Sequence, residues 1–384
     1  MCKRIAMALP GIVEATEVYE TWLRRQVPVW QDDLDYKHQE MAAAPFPFLR
    51  ATYYRWVTRW RRLCPEEASA PSLLAVGDLH VENFGTWRDA EARLVWGVND
   101  FDEVAVMPYS ADLVRLATSA RLALKAGHLE ATTTMACDAI LDGYVKSLKA
   151  GGRPLVLAED DRWLHRLATG KAREPEEFWG KLRARPALDK PLRPMLRKAL
   201  LESLPGDPAG FTLRSRRAGL GSLGRERVVA EGKWAGADLA REIKSELPSV
   251  WTLAEGTADD PAEAPGPPAH QLLRNAARSG DPFYIPGPGY VVRRLAPDCS
   301  RIELGDLPKQ RDDVRLLEAM GWETANIHLA TRGVAPRILA DLKPRDHGWL
   351  EDQARRMSRA TLRDWRDWRA AYKKHPGNTP PKPA

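Results

Sequence analysis

Four cysteines in 384 residues, Cys2, Cys64, Cys137 and Cys299, lie too far apart for a disulfide framework, and no C-x-x-C pair is present to seed a zinc site. That usage fits a reducing cytoplasm. No uninterrupted apolar stretch approaches the roughly 18 residues of a membrane-spanning helix, so no span is expected. The opening MCKRIAMALPGIVEATE has a short apolar run, but Pro10 and Glu14 cut it too early for a signal peptide. There is no internal repeat, and no basic tract interleaved with aromatics of the kind that tracks a nucleic-acid backbone. The eight histidines are scattered, which disfavours a carboxylate-bridged metallohydrolase, a site that usually takes several histidines or carboxylates from separate elements.

What is present is a globular composition. The chain is 44% hydrophobic and 29% charged, enough for one large core or two smaller ones. Its net charge of +6 permits a phosphate-bearing ligand without requiring nucleic acid. Residues 15 to 65 read as helical, with an extended break at Pro45 and Pro47. PSLLAV (71–76) reads as a buried strand, and FGTW and RLVWGV as a hairpin around RDAEA. Helical spacing begins after NDFDE, with Leu113, Leu116, Ala117, Ala120 and Leu124 on one face, Ser110 as N-cap and Gly127 as stop. Further helices are expected over 129–149 and 157–204, a strand at GYVVRRLAP and a helix over 311–330. Residues 256–270 read as a Pro/Ala-rich loop, and the last ten residues as a disordered tail.

Two acidic knots stand out. GDLHVENFG (77–85) places Asp78 and Asn83 five residues apart, and NDFDE (99–103) follows the next apolar strand. In a phosphotransferase loop an Asp faces the acceptor hydroxyl, and an amide one loop-turn later reaches a Mg²⁺ ion. Asp100 would supply a carboxylate to the same metal, and Mg²⁺ takes its remaining ligands from water and phosphates. Asp and Asn beside Gly also build ordinary turns, which is the plainer reading of either knot alone. Two knots, each after a strand, favour a shared site. His80 reads first as a loop-fixing hydrogen-bonder to the backbone, and otherwise as a metal ligand or a base. Asp102 reads as a metal-assisting carboxylate or a solvated turn charge, and Asp112 as a brace for the loop or a helix-dipole acid.

The third feature is G-x-G-x-x-G at Gly219, Gly221 and Gly224, with Ser222 inside it. A dinucleotide fold requires a helix next, whereas RERVV is strand-like, so the loop reads as a flap over phosphates. Lys244, twenty residues past Gly224, ends the strand LAREIK and would neutralise phosphate charge.

Together these residues resemble the protein-kinase-like superfamily, with an aminoglycoside-phosphotransferase type of catalytic loop. More closely, GDLHVENFG, VNDFDE, ADLVRLATSA, GLGSLG…IK and MAAAPFPFLRATYYRW resemble the bacterial family DUF2252, over about residues 38 to 330. The resemblance implies an α+β, kinase-like two-lobe fold. Because the glycine loop and lysine follow the catalytic loop here, it also implies a circular permutation, physically cheap where old termini meet at the surface. The expected division is 1–205 for the catalytic loop, metal motif and most of the helical lobe, 206–300 for a small β-rich lobe, 301–374 for returning helices and 375–384 for the tail. There are two departures. Val76 stands where that loop type has His, and the helix that should carry an acidic partner for Lys244 has none, leaving Glu246, Glu255, Glu263 or Gln271 as substitutes.

The function implied is ATP- and Mg²⁺-dependent phosphoryl transfer to an unknown small-molecule or protein acceptor. Asp78 would be catalytic, Asn83 and Asp100 would hold the metal, and Gly219, Gly221, Ser222, Gly224 and Lys244 the phosphates. AMP transfer on the same fold, and a non-catalytic nucleotide-binding interaction protein, are the rivals. An exposed cluster of Trp56, Trp60, Trp365 and Trp368 would favour the last.

Overall fold

The strand expected over 71–76 forms as β1 (Ser72–Ala75), and the next two as the antiparallel hairpin β2 (Phe84–Arg88) and β3 (Leu94–Val98). These elements belong to a computed structural model that describes residues 10–157, 161–168, 174–255, 268–299, 304–306 and 312–374. Four helices precede them: α1 (Ile12–Gln26), α2 (Gln31–Ala43), α3 (Pro45–Ala51) and α4 (Tyr53–Leu63). Pro45 and Pro47 open α3 rather than breaking the helical region. Only Ala44 is extended, and a first turn has no use for the N–H that proline lacks.

After the second acidic knot the chain forms a short strand, β4 (Ala105–Pro108), which pairs with β1, before the helix α5 (Tyr109–Lys125) begins. Ser110 is not the N-cap. The helix starts two residues earlier than that cap requires, at Tyr109 after Pro108, with no side-chain cap. Then come α6 (Thr133–Ala150), β5 (Leu155–Val156) against β3, α7 (Arg162–Ala168), α8 (Pro175–Arg183) and α9 (Pro194–Glu202).

The glycine-loop half is a five-stranded antiparallel sheet. Its strands are β6 (Phe211–Ser215), β7 (Arg227–Trp234), β8 (Ala237–Ser245), β9 (Ile285–Gly287) and β10 (Tyr290–Leu295), in the order β6-β7-β8-β10-β9. Two short helices, α10 (Val250–Glu255) and α11 (Pro268–Asn275), fall between β8 and β9. Most of the expected Pro/Ala-rich loop, 256–267, lies outside the described residues, as does the tail from 375. The chain closes with α12 (Asp313–His328), α13 (Val334–Leu342) and α14 (Trp349–Lys374).

Period-two alternation gives this sheet two unlike faces. Val228, Ala230, Ile243 and Val292 pack beneath α9 with Trp30 in one apolar cluster. The opposite face carries Arg227, Glu242, Lys244 and Arg293, in register across β7, β8 and β10. At one end of that face Trp179 and Leu182 of α8 cover Val229, Ala240 and Leu295. The main core lies elsewhere, among α4, α5, α6, α12 and the β1–β4 and β2–β3 pairs. Trp56, Trp60 and Trp368 are buried and Trp365 is partly buried, so the four tryptophans are packing residues, not an exposed patch. The whole is a mixed helix-and-sheet protein, and no described helix is long and apolar enough to cross a membrane.

Candidate functional site

The β2–β3 hairpin brings the acidic knots together. With Phe84 opposite Val98, the residues beyond each strand end must meet, and the Asn99 N–H donates to the Asn83 carbonyl at 3.0 Å. The Asn83 side chain then staples the two loops. Its amide donates to the Asp78 and Asp100 carbonyls at 3.2 and 3.1 Å, and its Oδ1 accepts the Asp100 N–H at 2.9 Å.

Asp78 sits in the first loop with its side chain 19% exposed. Arg115 of α5, fully buried, donates to Asp78 Oδ1 from Nε at 3.0 Å and Nη2 at 2.5 Å. Burial pushes the Asp78 carboxyl up, Arg115 opposes that, and the charge of Asp100 adds to the rise. Asp112 holds the loop from below. Its two oxygens accept the Val76 and Gly77 N–H groups at 2.8 Å each. His80 also serves the loop, since its Nδ1 accepts the Glu82 N–H at 3.2 Å.

Asp100 is the more exposed carboxylate, at 34%. Lys244 of β8 crosses from the sheet to reach Asp100 Oδ1 at 2.7 Å, and also pairs with Asp102. Burial works to raise the Asp100 carboxyl, but Lys244, Arg293 and Arg227 override it and hold the group far below the usual range. The acidic partners of Lys244 are therefore the knot itself. Glu246 lies close by, pushed up to about 7 by burial and by Asp102, with Lys244 opposing. Gln271 is exposed on α11, and the Glu255 side chain and Glu263 lie outside the described residues.

The glycine loop covers this cluster. Gly221 passes over Asp78 closely enough that a β-carbon there would touch Asp78 Oδ2. Its carbonyl is held by the buried Lys37 of α2 at 3.1 Å. Gly219, at φ +71°, and Ser222 turn the chain, and Ser222 Oγ accepts from Arg227 at 2.8 Å. Gly224 has a different place. At φ +92° it is pressed against Leu34 of α2, where a side chain would overlap, so it docks the loop and is not among the cleft residues.

Beside the cluster opens a cleft of about 830 Å³. Among its described lining residues are nine arginines against three carboxylates. Asp100, Asn83 and Gly219 form its edge, while Trp87, Leu273, Tyr284 and Leu295 provide apolar wall.

Sequence reading missed Arg115, Lys37, Glu242 and the arginines of the cleft. Arg115 had a readable signal, a lone cation inside the apolar run DLVRLA. The rest come from elements distant in sequence and had none.

Glu103, behind Asp78, supplies a pH prediction. Its Oε2 accepts the Val250 N–H at 2.8 Å. Burial pushes its carboxyl from 4.5 to about 7, with Arg225 and that N–H opposing. The folded state therefore binds more protons than the unfolded one between these values, and stability falls as pH rises through that window. Glu103→Gln, always neutral, should be more stable than wild type at pH 8 by on the order of 2 kcal/mol and lose that advantage by pH 4.5. Thermal melts at the two pH values check this. An equal gap at both would show that Glu103 does not titrate in the window.

The fold and site together define a mixed helix-and-sheet protein with acidic loops and a glycine-rich loop at the mouth of an arginine-lined cleft. Residues 30–180 match the family described as an uncharacterized protein conserved in bacteria, DUF2252. The matched segment contains both acidic knots and α5 and ends before the glycine loop. No curated protein and no solved structure matches the chain.

Proposed function

We propose that the protein is an ATP- and Mg²⁺-dependent phosphotransferase on a permuted kinase-like frame. One observation carries the reading: Lys244, 144 and 142 residues after Asp100 and Asp102 in sequence, bonds both of them from the sheet. A frame in which the order of loop and lysine is reversed would have to restore that juxtaposition in space.

A magnesium site fits the donors. Among the described residues no three His, Cys, Asp or Glu side chains form a metal cage. Mg²⁺ carried by a nucleotide needs none, because phosphates and waters fill its shell. Asp100 is ionised and partly open to the cleft, and Asn83 Oδ1 keeps a second lone pair. When bound, the metal would neutralise phosphate charge. Asp78, with Oδ1 fixed by Arg115, would present Oδ2 to orient and accept the proton of an acceptor hydroxyl.

Calorimetric titration of ATP with and without Mg²⁺ tests this. Mg²⁺ should tighten ATP binding in wild type, and Asp100→Ala should lose that increment. Asp78→Ala should keep it, while losing phosphoryl transfer by roughly 10²-fold or more. Absence of ATP binding under both conditions would refute the reading.

A further inference from the structure

Lys244 is committed to two aspartates, so it brings little net positive charge to the cleft. The excess charge lies one residue pair further along the same sheet face. Glu242, fully buried on β8, receives Arg216, Arg227 and Arg293, with Arg293 Nε at 2.7 Å and Arg227 Nη1 at 3.4 Å. One carboxylate thus organises three guanidiniums, and all three line the cleft.

Their other contacts aim the group at the acidic knots. Arg293 Nη1 donates to Asn99 Oδ1 at 3.0 Å, beside Asp100, and Arg227 Nη2 donates to Ser222 of the glycine loop. Each guanidinium has five N–H donors, and these bonds occupy only some of them. Burial pushes Arg216 down to about 10, Glu242 resists, and the like charges of Arg227 and Arg293 add to the fall. Against its burial, Arg293 is held up instead, by Glu242 and by Asp100 and Asp102 of the second knot, and the cleft as a whole still sets nine arginines against three carboxylates among its described lining residues.

We infer that Arg216, Arg227 and Arg293, set by Glu242, form a polyphosphate-binding cradle, the main anion site of the cleft in place of Lys244. Planar forked donors suit phosphate oxygens, and a shared buried carboxylate fixes their orientation before the ligand arrives. Coupled to the function proposed above, the cradle would take the phosphate tail of the nucleotide, and it does so without requiring the metal.

The probe is inorganic tripolyphosphate without Mg²⁺, titrated calorimetrically beside adenosine and Mg·ATP. Wild type should bind tripolyphosphate, with affinity falling as salt rises. Arg216→Gln and Arg293→Gln should each weaken it at least about tenfold, and Arg216→Lys less. In wild type, tripolyphosphate should also protect Arg216 from phenylglyoxal, read by mass spectrometry, so a poorly folding variant leaves the inference testable. Failure of wild type to bind tripolyphosphate, wild-type affinity in both Gln variants, or no protection would overturn the cradle. If Mg·ATP binds wild type and both Gln variants alike, the cradle fails and the nucleotide reading stands. If tripolyphosphate binds through the arginines while Mg·ATP binds no tighter and adenosine not at all, the cradle stands and the nucleotide reading falls.

Discussion

Asp112→Ala is expected to destabilise the protein by roughly 3–5 kcal/mol and to loosen the loop that carries Asp78. The carboxylate is fully buried in the first turn of α5. It accepts two backbone N–H groups, of Val76 and Gly77, and lies 3.1 Å from His328 Nε2. A carboxylate oxygen accepts, so Nε2 donates, and Nδ1 is left to accept the Tyr144 hydroxyl at 2.7 Å. Alanine would strand three buried donors, each costing about 1–3 kcal/mol when unsatisfied. Denaturant unfolding followed by tryptophan fluorescence measures the loss, and hydrogen exchange at Gly77 reads the local opening. A loss below about 1 kcal/mol with unchanged exchange would mean that the loop is held by other contacts.

Gly321→Ala should cost about 3 kcal/mol or more, with Gly143→Ala close behind. The two glycines face each other's helices. A methyl at Gly321 would overlap the Ile140 carbonyl of α6, and one at Gly143 would overlap the Glu318 carbonyl of α12. Backbone cannot swing aside as a side chain does, so α6 and α12 would have to separate. The consequence reaches the site, because α12 also supplies His328 to Asp112 and Glu323 to the Val98 N–H. Gly180→Ala, in α8 with open space around it, is the control. It should be neutral or gain up to about 1 kcal/mol. Equal melting temperatures for Gly321→Ala and wild type would show that the helices part without cost.

Local pattern predicted much of the fold. The β2–β3 hairpin, β1, the strands β7 and β8 and the helices α5, α6 and α12 were legible from their apolar runs and spacing, even where, as in α5 and β3, the element is buried on every side. The misplacements were equally local. Pro45 and Pro47 open a helix, and Ser110 follows a helix start instead of capping it. Both are boundary errors, where a single residue's backbone preference competes with packing.

The candidate site divides the same way. That Asp78, Asn83 and Asp100 lie together was determined by sequence alone, since a short hairpin between the knots leaves them no other arrangement. Sequence likewise determined that LAREIK is a strand with Lys244 near its end. Tertiary structure alone decided which partners those groups receive. Lys244 met Asp100 and Asp102 of the acidic knot, Gly224 became a docking point for α2, and three arginines from β7, β10 and the glycine loop's approach converged on Glu242. Ion pairs between elements tens to hundreds of residues apart leave no periodic trace. They exist only once the sheet and the helices have packed and excluded the water that would otherwise solvate each charge separately.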